Sequence, residues 1–416
     1  MRVPEGWTVQ PLGNFLQESR IPGNDGRSAR KLTVRLYGKG VVAKEAGGQG
    51  SENTKYYLRK KGQFVYSKLD FLNGAFGVVP DELDGWETTL DLPAFDVSPT
   101  IDARWLLAYV TREQFYAAHK GLARGGRKAR RVPPEELLQI KVVVPPLREQ
   151  RRIAEVLSSV DEAVQATHAV IKQAKRVKQN VLNRLLSKGI GHSRFKQTEI
   201  GDIPQHWDCI RVSDVTAIMD SGWSPDCDVE RASDGEWGIL RTSSVVWEGY
   251  RPFENKRLPN TLIPRPEIEV KAGDVLVTRA GPADRTGVVA FVDSTPPYLM
   301  LSDKIIRIQP RHDICRPEFL TIALSSSRSQ SELVRRKSGM AMSQTNISQK
   351  VLRDLYVPIP PIREQILIED EFRSMSEVVF RSEERAVLLN QTKSGLTADL
   401  LTGRKRVSAD ALSPAL

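Results

Sequence analysis

The chain has 416 residues, 40% apolar and 27% charged, which is more than one hydrophobic core usually holds and too apolar for wholesale disorder. Its formal net charge of +10 suits a polyanionic partner, with nucleic acid the leading class. Three scattered cysteines exclude a disulfide framework, five histidines without ligand spacing offer no readable zinc or iron site, and no apolar run approaches the roughly 18 residues of a membrane span. The opening Met1-Arg2-Val3-Pro4-Glu5 has no apolar leader segment, so a cytoplasmic location with no membrane partner is expected.

Residues 1–145 read as a mixed α/β part. Trp7 near its start is expected as a core anchor, and Gly62 introduces a strand, Gln63-Phe64-Val65-Tyr66, followed by Lys68, Asn73 and Gly77. The run Arg124-Gly125-Gly126-Arg127-Lys128-Ala129-Arg130-Arg131 then places five cations in eight residues, with glycines that let backbone approach a partner closely. A helix is predicted over 146–189, because Pro145-Pro146 is tolerated only before or at a first turn and Glu149 suits the positive end of a helix dipole. Ser187-Lys188-Gly189 signals its end, and 190–203 reads as a linker. Residues 204–359 form a second mixed part with Trp207, Gly273 before the strand Asp274-Val275-Leu276-Val277, then Arg279, Arg285 and Gly287. Arg335-Arg336-Lys337-Ser338-Gly339 and Ser343-Gln344-Thr345-Asn346 precede a second helix over 360–403, and 404–416 form a tail.

This order is a repeat. Val142-Val143-Val144-Pro145-Pro146-Leu147-Arg148-Glu149-Gln150 recurs 215 residues on as Val357-Pro358-Ile359-Pro360-Pro361-Ile362-Arg363-Glu364-Gln365, and Leu185-Leu186-Ser187 returns as Leu400-Leu401-Thr402. Within the first helix Ile153, Leu157, Val160, Val164, Thr167, Ile171, Ala174, Lys178, Val181 and Leu185 alternate in steps of four and three, and the second helix repeats the pattern from Ile368 to Leu400. A period of 3.5 residues specifies a coiled-coil seam roughly 50 Å long. An antiparallel pairing would set Ile153 against Leu400, Leu157 against Leu396, Val160 against Lys393 and Lys178 against Met375. The alternative is that each helix packs on its neighbouring globular part. Thr167, Ser382, Lys178 and Lys393 either fix the register of the seam or sit at its edge with snorkelling stems.

Cations neutralise phosphates, while Arg, Gln and Asn carry the paired donors and acceptors that read base edges. Candidate DNA contacts are therefore Arg124, Arg127, Lys128, Arg130 and Arg131 in the first basic loop, and Arg335, Arg336, Lys337, Gln344 and Asn346 at the corresponding place in the second half. Lys68, Asn73, Arg279 and Arg285, which follow the matching strands, are further candidates, and a solvated loop is the alternative in each case. Catalytic patterns fare worse. Thr295-Pro296-Pro297-Tyr298 lacks the amide or carboxylate that would hold a flipped adenine, Glu269-Val270-Lys271 is an isolated E-x-K triplet, and Gly121 to Lys128 misses the spacing of a phosphate-binding loop.

The whole pattern resembles the specificity subunit of type I restriction-modification systems. The twin Pro-Pro-Leu/Ile-Arg-Glu-Gln boxes carry the resemblance, with the helix ends Leu185-Leu186-Ser187-Lys188-Gly189 and Leu400-Leu401-Thr402-Gly403 and the stretch from Phe195 to Trp207. Gly273-Asp274-Val275-Leu276-Val277 and Ser221-Gly222-Trp223-Ser224-Pro225 resemble the family's recognition-domain motifs, although Trp223 departs from the small residue usual there. The resemblance implies two α/β (α+β) target recognition domains separated by two long antiparallel coiled-coil helices related by a pseudo-twofold repeat. It implies a non-catalytic subunit that reads a bipartite double-stranded DNA target and recruits two methyltransferase subunits and restriction/translocase subunits. S-adenosylmethionine, ATP and Mg would then belong to those partners, with no cofactor in this chain. The paired positions Arg148, Glu149, Arg152, Arg363 and Glu364 are expected to dock the partners, with ordinary helix-start chemistry as the alternative. A different class would be a self-contained DNA nuclease or methyltransferase with a fused recognition domain, and a third a coiled-coil scaffold without DNA specificity.

Overall fold

The computed structural model describes residues 3–44, 51–126, 130–227, 229–341 and 344–407. Packing divides the chain into two units, Met1–Thr167 with Arg385–Leu416, and His168–Glu384. Each unit therefore joins one globular part to segments of both long helices.

The first unit is centred on a four-stranded antiparallel sheet in the order Leu16–Ser19, Ala94–Val97, Phe64–Tyr66, Phe76–Val78. The second repeats it as Thr216–Ser221, Ile305–Pro310, Val275–Thr278, Val289–Phe291. The predicted strands occupy the same interior place in both. Their apolar residues are buried on both faces, as an interior strand with two covered sides requires. Phe64 and Tyr66 join one core while Val65 faces another, and Val275 and Val277 are divided from Leu276 in the same way.

Both strands begin at a glycine in the left-handed region, Gly62 at φ +79° and Gly273 at φ +93°. A side-chain pair then ties each strand to its neighbour. Gln63 Nε2 donates to Asp96 Oδ1 at 2.8 Å, and Gln309 Nε2 donates to Asp274 Oδ1 at 2.7 Å, so amide and carboxylate have exchanged strands between the copies. Burial pushes the Asp274 carboxyl above its ordinary range, against the hydrogen bonds from Lys271 and Gln309.

The predicted helices span Leu147–Lys188 and Ile362–Leu400, and the expected seam positions are buried or half-buried in both. In the first unit Ile153, Leu157, Leu396 and Leu400 share one core, and Lys393 Nζ lies 2.5 Å from Asp161 Oδ1. In the second unit Leu182, Leu186, Ile368 and Phe372 share a core, and Lys175 Nζ lies 2.7 Å from Glu383 Oε1. Both sets fit antiparallel pairing in each unit. Residues at the helix feet also belong to the domain cores, so seam packing and domain packing operate at different points along each helix. The polar seam residues sit at the edge rather than locking register. Lys178 Nζ rests 4.3 Å from the centroid of Phe372, about one turn from the expected Met375, while the Thr167 and Ser382 hydroxyls donate to the carbonyls of Ala163 and Val378 in their own helices.

The predicted linker contains ordered structure. Phe195–Thr198 and Gly201–Pro204 form an antiparallel hairpin that leads into the second globular part.

The twin boxes explain why each part begins at the foot of a helix. Trp7 Nε1 donates to Glu149 Oε2 at 3.1 Å, and Arg406 closes on the same carboxylate through Nε to Oε1 at 2.7 Å and Nη2 to Oε2 at 2.8 Å. In the other unit Trp207 Nε1 donates to Glu364 Oε2 at 2.8 Å, and His192 Nε2 lies 2.9 Å from Glu364 Oε1. The next residue completes each clasp. Gln150 Oε1 accepts from the amide of Asp102, which caps helix Ala103–Val110, and Gln365 Oε1 accepts from the amide of Arg316, which precedes helix Pro317–Leu324. Gly189, at φ +60°, turns the chain back over this site, where a Cβ would lie 2.6–2.8 Å from His192, Glu364 and Trp207.

A buried donor stripped of its acceptor costs about 1–3 kcal/mol. Glu149→Ala should therefore destabilise the first unit by about that much and speed amide exchange around Trp7, whereas Glu364→Ala should do so around Trp207. Hydrogen exchange read residue by residue checks this, and equal protection in both variants and the parent would contradict the clasp.

Candidate nucleic-acid interface

The strand-end cations and the basic loops, far apart in sequence, meet at one place in each unit. In the first unit Lys68 N donates to Asp91 O at 2.9 Å and Lys68 O accepts from Val132 N at 3.0 Å. In the second Arg279 N donates to Lys304 O at 2.8 Å and Arg279 O accepts from Ile347 N at 2.8 Å. The same backbone lacing thus holds a cation at the base of each basic loop.

Around Lys68, Arg124 and Arg131 exchange backbone hydrogen bonds of 2.8 Å in both directions and close the neck of their loop. Arg124 pairs with Glu136, Arg131 Nε donates to Asp91 Oδ1 at 3.2 Å, and Arg130 Nη2 donates to Ala123 O at 3.4 Å, with all three arginines exposed. Arg127 and Lys128 lie outside the described residues. Asn73 is exposed on the turn after Phe71, its side chain 3.3 Å from Asp70 Oδ1.

In the second unit a three-stranded sheet, Ala280–Gly281, Gln344–Asn346 and Ser338–Ala341, carries Gln344 and Asn346, with Arg279 and Lys337 just before two of its strands. Arg279 Nε donates to Asn346 Oδ1 at 3.4 Å, and Lys337 Nζ donates to Ala283 O at 2.8 Å, beside the exposed Arg285. Burial pushes the Lys337 ammonium below its ordinary range, with Asp284 opposing the shift. Arg335 and Arg336 share Glu332 at 2.6 Å each, and the Arg335 side chain is 72% exposed. Gln344 is exposed at the start of the middle strand of the sheet. An exposed ion pair of this kind is worth little, so a phosphate can replace the carboxylate at small cost.

The residues expected to dock partners divide. Glu149 and Glu364 are taken up inside the clasps, so duplication of these two reflects the internal architecture. Arg148 and Arg363 are exposed, and Arg152 is half-buried with Nη1 3.0 Å from Glu155 Oε2. The catalytic look-alikes occupy each other: Glu269 Oε1 accepts from the Tyr298 amide at 2.8 Å, which builds a turn from both motifs. Among the described residues, no group of three or more His, Cys, Asp and Glu side chains is placed to hold a metal ion.

Sequence reasoning did not single out His192, Arg406 or the interior Arg307. Arg307 donates through Nε to Asp220 Oδ1 at 2.9 Å and through Nη1 to Glu269 O at 2.8 Å, tying the second sheet to the Glu269 turn. His192 and Arg406 stand at nearly the repeat spacing, but their side chains differ, so no identity marks them.

The model of the type I restriction modification DNA specificity domain matches residues 204–377. The specificity subunit of the type I restriction enzyme EcoEI from Escherichia coli is 40% identical over 202 residues, which cover 48% of this chain and 34% of that protein. The MjaVIII specificity subunit of Methanocaldococcus jannaschii is 24% identical over 279 residues, covering 64% of this chain and 63% of that one. The matched stretches thus span about one third to under two thirds of these relatives. Two solved structures share the fold along nearly the whole chain. One, from work on complex assembly and conformational transition of the type I R-M system, aligns with a TM-score of 0.61 and 15% identity, covering 97% of this chain and all of that one. The other, the S subunit of the type I system of M. genitalium, aligns with a TM-score of 0.55 and 12% identity, covering 96% and 98%.

Removing a phosphate contact weakens binding to all duplexes alike and lowers the slope of log K against log salt by about one unit. Arg335→Ala is expected to behave so. Arg279→Ala, beside Asn346 and the loop base, should instead lose affinity for one sequence more than for others, as fluorescence titration of matched and scrambled duplexes would register.

Proposed function

We propose that this chain, residues 204–377 of which match the model of the type I restriction modification DNA specificity domain, is the DNA-reading subunit of a type I restriction-modification complex. The observation that carries the reading is the duplicated unit: two copies of one sheet, each lacing a strand-end cation to the base of a cation-rich loop. Two such loops suit a bipartite duplex target, one half-site for each recognition part. Phosphate contacts would fall to the exposed arginines Arg124, Arg130, Arg131, Arg335 and Arg336, and base reading to Arg279, Arg285, Gln344 and Asn346, with Lys68, Asn73 and Lys337 supporting them.

In this reading the chain transfers no methyl group and cuts no DNA. It recruits methyltransferase subunits, one for each repeat, and through them the restriction subunits, so S-adenosylmethionine, ATP and Mg are bound by the partners. Exposed Arg148 and Arg363 at the two helix feet are offered as docking positions, with half-buried Arg152 beside the first. A cytoplasmic site of action follows from the substrate, genomic DNA. No described helix is long and apolar enough to cross a membrane.

The test is base-resolution mapping of adenine methylation in cells that carry the methyltransferase gene with or without this chain. The expected outcome is one interrupted sequence, methylated in both halves, that appears only when the chain is present. Methylation or cleavage of DNA by the purified chain alone would favour the self-contained enzyme instead.

A further inference from the structure

The first recognition part carries a strained aromatic that none of the features above uses. Leu32–Val34 and Val41–Ala43 form a hairpin, and Lys39 N donates to Leu36 O at 3.3 Å across its tip. Both central residues have positive φ, Tyr37 at 57° and Gly38 at 65°, the signature of a turn that normally takes Asn-Gly. A tyrosine there stores strain that Gly or Asn would relieve.

Among the described residues, Tyr37 and Tyr298 are the non-glycine residues with positive φ. Tyr298 has a structural reason, because Glu269 holds its amide and its ring meets Trp237 at 5.1 Å between centroids. Tyr37 is 62% exposed. Exposed Arg35, Leu36 and Lys39 flank it.

The tip is held in place. Tyr37 N donates to Asn73 O at 2.8 Å and Gly38 N donates to Gly74 O at 2.9 Å, which fixes it beside the turn bearing Asn73. Beneath it Leu32, Val34 and Val41 enter the same core as Val65 of the central strand. The ring is therefore presented from a rigid base, five residues along the chain from the Lys68 end of that strand to the Asn73 turn.

We propose that Tyr37 is a specificity-determining residue of the first recognition part, its ring entering a groove of the duplex to contact bases while Arg35 and Lys39 take the adjoining phosphates. The proposal rests on the reading of the chain as a DNA-specificity subunit. An amphipathic ring brings apolar contact for a thymine methyl and a hydroxyl for a base edge, and a strained, fixed presentation avoids the entropy a mobile loop would lose on binding.

The test uses the full chain assembled with its methyltransferase subunits, a duplex of the sequence found by methylation mapping, and duplexes with the first or second half-site scrambled. Tyr37→Gly and Tyr37→Asn both suit the turn, so the melting temperature should hold or rise. Affinity for the intact site should fall on the order of tenfold or more, with binding to the duplex scrambled in the first half-site unchanged. If wild type discriminates and both variants discriminate equally well, or if they lose affinity for every duplex together with thermal stability, Tyr37 is not a reader. If wild type itself fails to tell the intact site from the scrambled ones, the specificity reading falls and the proposal with it.

Discussion

Each unit depends on a carboxylate in the first turn of a long helix that accepts a tryptophan indole and faces a nitrogen-bearing side chain contributed after the end of the other helix. Glu149 does this for Trp7 and Arg406, and Glu364 for Trp207 and His192. A carboxylate drawn out of water is tolerable only when its oxygens are matched, and here each has a donor close by. Geometry follows from that requirement. The start of a recognition part, the foot of one helix and the end of the other must meet at one point, and the seam pairs then have no freedom to choose another register.

The two clasps differ in the side chain that faces the carboxylate. Arg406 forks across both oxygens of Glu149, whereas His192 presents one ring nitrogen near both oxygens of Glu364. The guanidinium is permanently charged and its planar fork fits a carboxylate. The imidazole needs only its N–H to serve.

Periodicity made the helices readable, because a 3.5-residue pattern is imposed by backbone geometry on every turn and survives exchange of one apolar residue for another. The central strands were readable for a similar reason, since an interior strand must be apolar on both faces. Side-chain pairs were not. Gln63 with Asp96 and Asp274 with Gln309 keep one hydrogen bond while trading donor for acceptor, so comparison by identity sees two mismatches where the chemistry is unchanged. Glu149 and Glu364 show the converse: recurrence signals constraint without saying whether the constraint lies inside the fold or on a partner. The hairpin in residues 190–203 and the left-handed Tyr37 were hidden because single turns have no period to detect.

The clasp of the first unit also brings distant stretches of chain together. Arg406 Nη1 donates to Glu5 O at 2.8 Å, and Gly403 packs against Pro4. The junction resembles the one in the second unit, where residues 189–207 run on as continuous backbone from helix end to tryptophan. The peptide link there is thus one way of keeping the ends near each other, and the contacts alone serve in the other case. Connectivity becomes interchangeable with proximity: a circular permutant joined between residues 407 and 3 and opened at the hairpin tip between 199 and 200 would present the same clasps with the two halves in reversed order.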